Sequence, residues 1–180
     1  LYFSKEELEE IESLKLHYEQ FLKLHKKTQE AFFEGFILQF SVNSTSIEGN
    51  TITLAEAKKL FNENTLPKDR DLREVYDLTN TKKVLLKLRE SKEELSLKLI
   101  IRVHDELLEN IDERKGLRSH DIHIFKQPFK PSPVIYVKQD LELLINWYVE
   151  QKNKLHPFEL ATLFHHKFER FTNELRCFID

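Results

Sequence analysis

The sequence is poor in the residues that build several common classes of protein. Of its 180 residues only three are glycine and one is cysteine, and methionine is absent. Such scarce glycine leaves no Gly-rich phosphate loop and argues against a turn-dense β sandwich. The single cysteine, Cys177, excludes an internal disulfide framework and fits a reducing compartment. Because even an initiator methionine is missing, the chain is expected to begin inside a longer reading frame or after processing.

Long apolar runs and an excess of basic charge are missing too. No stretch of about 18 apolar residues occurs, so no membrane span is expected. No signal peptide is recognisable, and we therefore predict a cytoplasmic protein. The formal net charge is -3, which provides no basic excess to neutralise phosphates, so nucleic acid is not expected as a partner. Charged residues make up 33% of the chain, a share that suits long solvated helices.

Apolar residues recur at helical spacing along most of the chain. Ser4, Thr53 and Ser91 are each followed three residues later by a glutamate, which is the pattern of a capped helix start. Pro157 suits the first position of a last helix. Most of the phenylalanines fall at helical spacing and are predicted to lie in the core. The predicted helices span residues 4–24, 31–42, 53–61, 69–89, 91–108, 137–152 and 157–170.

Residues 116–137 have a different pattern. Ile122 and Ile124 alternate with polar residues, and three prolines follow. This combination predicts a short hairpin or extended flap. The sequence therefore predicts an all-α helical bundle that carries one short β-hairpin flap.

One segment is distinctive, and it reads Ser44-Thr45-Ser46-Ile47-Glu48-Gly49-Asn50. Its simplest interpretation is a helix end, with Ser44 and Asn50 as caps and Gly49 as the stop. The segment also resembles the inhibitory motif of Fic proteins, a Ser or Thr followed four residues later by Glu and then Gly or Asn. The following Thr51-Ile52-Thr53-Leu54 continues that resemblance. It implies that Ser44, Glu48, Gly49 and Asn50 are inhibitory residues.

The resemblance implies how such a glutamate acts. In Fic proteins it lies on a helix over the ATP pocket and pairs with an arginine of the catalytic loop that would otherwise hold the γ-phosphate. A carboxylate and a triphosphate cannot share one guanidinium, because the donor fork is bidentate and like charges repel. Glu48 is thus expected to restrain the enzyme.

The flap also resembles its Fic counterpart. Gly116-Leu117-Arg118 precedes Asp121 and the run Ile122, His123, Ile124 and Phe125. The resemblance implies that this run pairs through its backbone with the segment that carries the target hydroxyl. A plain surface hairpin is the alternative.

Residues His156-Pro157, Ala161, His165 and Phe168-Glu169 resemble the family's approach to its active site. The similarity covers roughly residues 44–170. It implies a Fic-type helical bundle in which residues 1–66 form N-terminal helices, including the inhibitory helix, and residues 67–180 form the Fic core, incomplete after residue 170.

The chain departs from the family beyond that point. Fic proteins continue with Ile-His-Pro-Phe, one variable residue, an acid and Gly-Asn-Gly-Arg. Here Thr172 stands where the histidine belongs, and no glycine follows Arg170. Threonine is no general base near neutral pH, so we assign no catalytic residue and expect the chain to be truncated near the catalytic loop and inactive. A changed reading frame, an absent stretch of sequence and a natural degenerate member each explain the departure.

No metal ligand is assigned either. His165 and His166 are adjacent and therefore point to different faces of a helix, and no acidic residue completes a site at ligand spacing. Cys177 has no base near it in the sequence and is interpreted as an inert thiol.

The resemblance implies a protein adenylyltransferase that uses ATP and Mg²⁺. It would move AMP to a Ser, Thr or Tyr hydroxyl of a protein substrate, and family members often form homodimers. The family also includes members that remove AMP from proteins and members that use another phosphate-containing donor, and the sequence does not distinguish these reactions. The alternative is a catalytically dead helical module that docks a partner segment on the flap. Nucleotide with magnesium should stabilise an enzyme core against unfolding and should not stabilise such a module. A helical regulator with a DNA-binding domain elsewhere is disfavoured by the acidic balance.

Overall fold

The computed structural model describes residues 3–121 and 132–172, which form seven helices in those ranges. The all-α prediction is confirmed there. The predicted flap residues 122–131 lie outside the described residues. In chain order the helices are α1 (Lys5–Phe21), α2 (Lys26–Ile47), α3 (Leu54–Glu63), α4 (Leu72–Glu90), α5 (Leu97–Leu107), α6 (Val134–Gln151) and α7 (Pro157–Thr172).

The chain divides into two compact units, residues 1–90 and residues 91–180. The first contains α1 to α4 and the second contains α5 to α7. The division at residues 66 and 67, which separates the inhibitory segment from the Fic core, remains a prediction. None of the helices in the described parts of the chain has both the length and the apolar character needed to cross a membrane.

Two helix starts follow directly from local sequence. The Ser4 hydroxyl accepts the N–H of Glu7 at 3.2 Å, and the Glu7 carboxylate accepts the N–H of Ser4 at 2.7 Å. Thr53 and Glu56 exchange the same pair of bonds at the start of α3. Each reciprocal pair satisfies backbone donors that a helix N-terminus leaves without partners. Both predicted caps are therefore confirmed.

The predicted start of α5 is wrong. Ser91 accepts the N–H of Glu93 in a local turn, and the helix begins at Leu97 after the N-cap Ser96. The Ser96 hydroxyl accepts the N–H of Leu99 at 3.2 Å. Glu94, the expected partner of Ser91, is instead paired with Lys152 at 2.7 Å. Because a tertiary ion pair holds that carboxylate, the capping pattern at Ser91 does not start a helix.

The core of the first unit lies between α2, α3 and α4. It is built from Ile52, Ala57, Leu60, Val75 and Leu78, against which Leu38, Val42 and Phe61 pack. Each buried Val, Leu or Ile side chain of this core contributes about 1.5–3 kcal/mol. The loop residue Ile52 is only 3% exposed, so the chain that follows α2 is anchored in this core.

The expectation that the phenylalanines are core is wrong for α2. Phe32, Phe36 and Phe40 are 55%, 51% and 43% exposed. The buried stripe of this helix is instead Ile37, Ser41 and Thr45. Two faces of α2 carry apolar residues, and the buried residues lie on the face that contacts α3 and α4. Helical spacing identifies a face but does not say which of two apolar faces is packed.

The second unit is organised around α6. Val137 and Leu141 are buried, and Leu97, Leu117 and Phe168 pack against them. Tyr148 meets Phe164 edge to face with ring centroids 5.9 Å apart. These contacts join α6 to α7 and to the start of α5, as the predicted helical bundle requires.

Candidate regulatory site

The distinctive segment ends helix α2 with a Schellman motif. Gly49 adopts φ 96°, in the left-handed region. The Gly49 N–H donates to the Ser46 carbonyl at 3.0 Å, and the Asn50 N–H donates to the Thr45 carbonyl at 3.1 Å. These two bonds satisfy carbonyls that a helix C-terminus leaves without partners. Gly49 is thus the stop that the simpler interpretation predicted, whereas Ser44 lies inside α2 and is not a cap.

Glu48 is the C-cap residue of α2, with φ −89° and ψ 5°. Its N–H donates to the Thr45 carbonyl at 3.0 Å. Ser44 lies four residues earlier on the same helix, and both residues are partly buried. The predicted inhibitory glutamate therefore lies at the C-terminal end of a long helix. The hydrogen bonds of the Schellman motif fix its backbone there.

Asn50 fastens the chain that leaves α2. It is 8% exposed. Its amide nitrogen Nδ2 donates to the Glu74 carbonyl at 2.8 Å, and its Oδ1 accepts the N–H of Ile52 at 3.0 Å. The second bond is an Asx turn. The predicted inhibitory residue Asn50 is thus a structural staple between the end of α2 and the start of α4.

The carboxylate of Glu74 completes this staple. Its Oε1 accepts the N–H of Thr51 at 2.5 Å and the hydroxyl of Thr51 at 2.7 Å. Its Oε2 accepts the N–H of Asp71 at 3.2 Å, which also caps α4. The hydroxyl and the N–H of Thr51 lower the pKa of Glu74. Both bonds to Thr51 are therefore made to a carboxylate that is ionised near neutral pH.

Arg70 links the same segment to the start of α3. Its guanidinium donates to the Thr51 hydroxyl at 2.8 Å and forms an ion pair with Glu56 at 3.0 Å. The Thr53 hydroxyl, the Thr53 N–H and Arg70 together lower the pKa of Glu56 to about 2 from its ordinary 4.5. Residues 50–56 are consequently held by one polar network that includes two carboxylates and one guanidinium.

The predicted docking residues Ile122, His123, Ile124 and Phe125 lie outside the described residues. Their two flanks are described and meet each other. The Arg118 guanidinium donates to the carbonyls of His120 and Ser132, and the Asp121 carboxylate accepts the N–H of Val134 at 2.6 Å. Arg118 is 8% exposed, so this junction is partly removed from solvent.

The residues that resemble an approach to an active site lie in α7, apart from His156, which directly precedes that helix. Pro157 is the first residue of α7, as predicted. His165 is exposed and contacts Glu169 at 3.0 Å, a partner that the sequence analysis overlooked. Within residues 3–121 and 132–172, no three His, Cys, Asp or Glu side chains come together as metal ligands.

Sequence reasoning missed Glu74 and Arg70. They lie 23 and 19 residues from Thr51, the residue that both of them contact. Asp71 and Glu74 do show the spacing of a helix start. That local signal would have drawn attention to Glu74 as a cap, although not to its bonds with Thr51.

Comparison with known proteins gives consistent results. Residues 94–171 match the sequence profile of the Fic/DOC family. The chain is 27% identical over 150 residues to protein adenylyltransferase Fic of Drosophila grimshawi, and the match covers 80% of this chain and 30% of that protein. Protein adenylyltransferase fic-1 of Caenorhabditis elegans is 21% identical over 157 residues, which are 84% of this chain and 30% of the relative. The chain thus spans less than a third of the length of these curated relatives.

Solved structures share the fold. A Fic domain containing signaling protein of Bacteroides thetaiotaomicron superposes with a TM-score of 0.81 at 21% identity, over 89% of this chain and 64% of that one. Fic-1 of Caenorhabditis elegans superposes with a TM-score of 0.76 at 22% identity, over 95% of this chain and 53% of that one. These likenesses establish a Fic-type fold.

Proposed function

We propose that this chain, a member of the Fic/DOC family through residues 94–171, belongs to a protein adenylyltransferase that Glu48 restrains. The reaction moves AMP from ATP to a hydroxyl of a Ser, Thr or Tyr side chain on a target protein. The family match is the observation that carries this proposal. The names of the curated relatives, each a protein adenylyltransferase, support the same reaction.

The restraint by Glu48 is supported by the end of α2. An inhibitory carboxylate has to be presented in one place, because bidentate pairing with a guanidinium is demanding in geometry. Glu48 is followed at once by the Schellman stop at Gly49 and by the staple at Asn50. The backbone around Glu48 is thus fixed on both sides.

Among the described residues, no three His, Cys, Asp or Glu side chains come together as metal ligands. The family's catalytic histidine and Gly-Asn-Gly turn also have no counterpart in this sequence. No catalytic step is therefore assigned to a residue of this chain. Target docking is assigned to Ile122, His123, Ile124 and Phe125, and the meeting of their flanks at Arg118 supports that assignment.

The test compares self-modification by the full-length natural protein, with any sequence outside these 180 residues, and by its Glu48→Gly variant. Both are incubated with magnesium and ATP, and the rate at which AMP is added is followed by intact mass. Glycine is well tolerated at a helix end, so the fold should be retained. We expect the variant to be faster by about 5–150-fold, the usual range of coupling between two sites. Equal rates would refute restraint by Glu48, and no addition by either protein would refute the adenylyltransferase.

A further inference from the structure

We infer that Glu74 is the positioning residue that holds Glu48 in its inhibitory place. The inference rests on the proposed function, since it concerns how the inhibitory residue of that function is kept in position. Glu74 does not touch the reacting groups in this account. It acts through Asn50 and Thr51, which follow Glu48 after a single glycine.

The chain before Glu48 is fixed by the packing of α2. Helix α2 packs its buried stripe of Ile37, Ser41 and Thr45 in the first unit. The carbonyl of Thr45 accepts the N–H groups of both Glu48 and Asn50. The N-terminal side of Glu48 is therefore part of a packed helix.

The chain directly after Glu48 is not helical. Between Gly49 and Thr53 the backbone has no regular secondary structure and has to be held by other contacts. Glu74 supplies three hydrogen bonds to this stretch. Its backbone carbonyl accepts a hydrogen bond from Asn50 Nδ2. Its carboxylate accepts hydrogen bonds from the N–H and the hydroxyl of Thr51.

The bonds between Glu74 and Thr51 are stronger than ordinary hydrogen bonds. The two bonds to Thr51 are charge-assisted, and such bonds are roughly twice as strong as neutral ones. Glu74 stands in the first turn of α4, where the helix dipole also favours a negative charge. The Glu74 residue as a whole is partly buried, although its bonds to Thr51 are exposed to solvent.

The consequence follows from the sensitivity of a bidentate contact. A displacement of about 1 Å can cost a positioned group about 100-fold in effect. Replacement of the Glu74 carboxylate by a neutral amide removes one of its acceptor oxygens and the charge. The chain from Gly49 to Thr53 is then held less firmly, and Glu48 occupies its inhibitory position for a smaller share of the time.

The experiment is a double-mutant cycle on the rate of AMP addition by the full-length protein. It compares the natural protein, Glu48→Gly, Glu74→Gln and the double variant. We expect Glu74→Gln to raise the rate about 3–10-fold and Glu48→Gly to raise it further. In the Glu48→Gly background, Glu74→Gln should produce no additional rise. A merely structural role would lower the rate in both backgrounds.

Two further variants complete the design. Thr51→Val keeps the shape of the side chain but removes its hydroxyl bond to Glu74, and it should raise the rate in the same direction by a smaller factor. Glu90→Gln is the matched control, because Glu90 is an exposed glutamate at the last position of the same helix. Its rate should equal that of the natural protein.

The pattern of rates separates two kinds of failure. If Glu48→Gly is faster while Glu74→Gln and Thr51→Val are not, the positioning role is wrong and the proposed function stands. A rise caused by Glu74→Gln that persists in the Glu48→Gly background also overturns the positioning role, because Glu74 would then act elsewhere. If Glu48→Gly itself is no faster, the proposed restraint fails, and the positioning role fails with it.

Discussion

Two glycines of α2 and its C-terminal turn show how context decides the effect of one residue type. Gly35 lies in the middle of α2, and a Cβ built there meets no atom within 4 Å. Gly49 stands at φ 96°, a conformation that costs an L-residue about 1–2 kcal/mol. The first glycine is therefore replaceable, whereas the second sets the direction in which the chain leaves Glu48.

Alanine substitution at these two positions should change stability in opposite directions. We expect Gly49→Ala to lower the free energy of unfolding by about 1–2 kcal/mol because of the positive φ. Gly35→Ala should raise it by roughly 0.5–1 kcal/mol, since alanine has the higher helix propensity. Urea unfolding of the two variants measures both changes. Equal effects of the two substitutions would show that α2 does not end in the Schellman motif described here.

At the scale of single elements, the prediction from sequence succeeded where the signal is local. The reciprocal bonds of Ser4 with Glu7 and of Thr53 with Glu56 join residues three apart, and short-range pairs of this kind can be recognised without a structure. The same pattern at Ser91 failed because Lys152 holds the carboxylate of Glu94. No local rule contains a contact that spans 58 residues.

Helix α2 shows two other limits. It was predicted over residues 31–42 and extends from Lys26 to Ile47, because the polar residues after Val42 continue the helix up to the glycine stop. Its exposed phenylalanines were assigned to the core, since periodicity alone does not distinguish two apolar faces. For the candidate site, the motif of Ser44 to Asn50 was recognisable, but its attachment to Glu74 depends on tertiary packing.

The bond network between α3 and the loop before α4 makes stability depend on pH. Glu56 has a pKa of about 2 in the folded chain and 4.5 ordinarily. A lowered folded pKa means that the ionised carboxylate favours the folded state. Its contribution should be complete above about pH 4.5 and should decline as the pH falls towards 2.

Glu56→Gln tests this dependence. We expect the variant to unfold at a lower urea concentration than the natural protein at pH 7, and the difference should shrink steadily between pH 4.5 and the acid limit of folding. Glu63→Gln is a suitable control, because Glu63 is an exposed residue at the last position of α3. A difference between Glu56→Gln and the natural protein that is independent of pH would show that folding does not lower the pKa of Glu56.

At the scale of the whole molecule, the two units carry different parts of the account. The first unit holds the segment that we propose to be inhibitory and the polar network that reaches from Asn50 to Glu74. The second unit holds residues 94–171, which match the Fic/DOC family. The proposed regulation therefore concerns one compact unit and the match to the family the other, and both the regulation and the reaction are proposals.

The most direct test of the central claim is which phosphate of ATP becomes attached to protein. Full-length Glu48→Gly protein is incubated with magnesium and ATP that is labelled on either the α-phosphate or the γ-phosphate. Adenylyl transfer forms a bond between the target oxygen and the α-phosphorus and releases pyrophosphate. The account predicts that the α-label is retained on protein and the γ-label is not. Retention of the γ-label, or of neither label by folded protein, would contradict it.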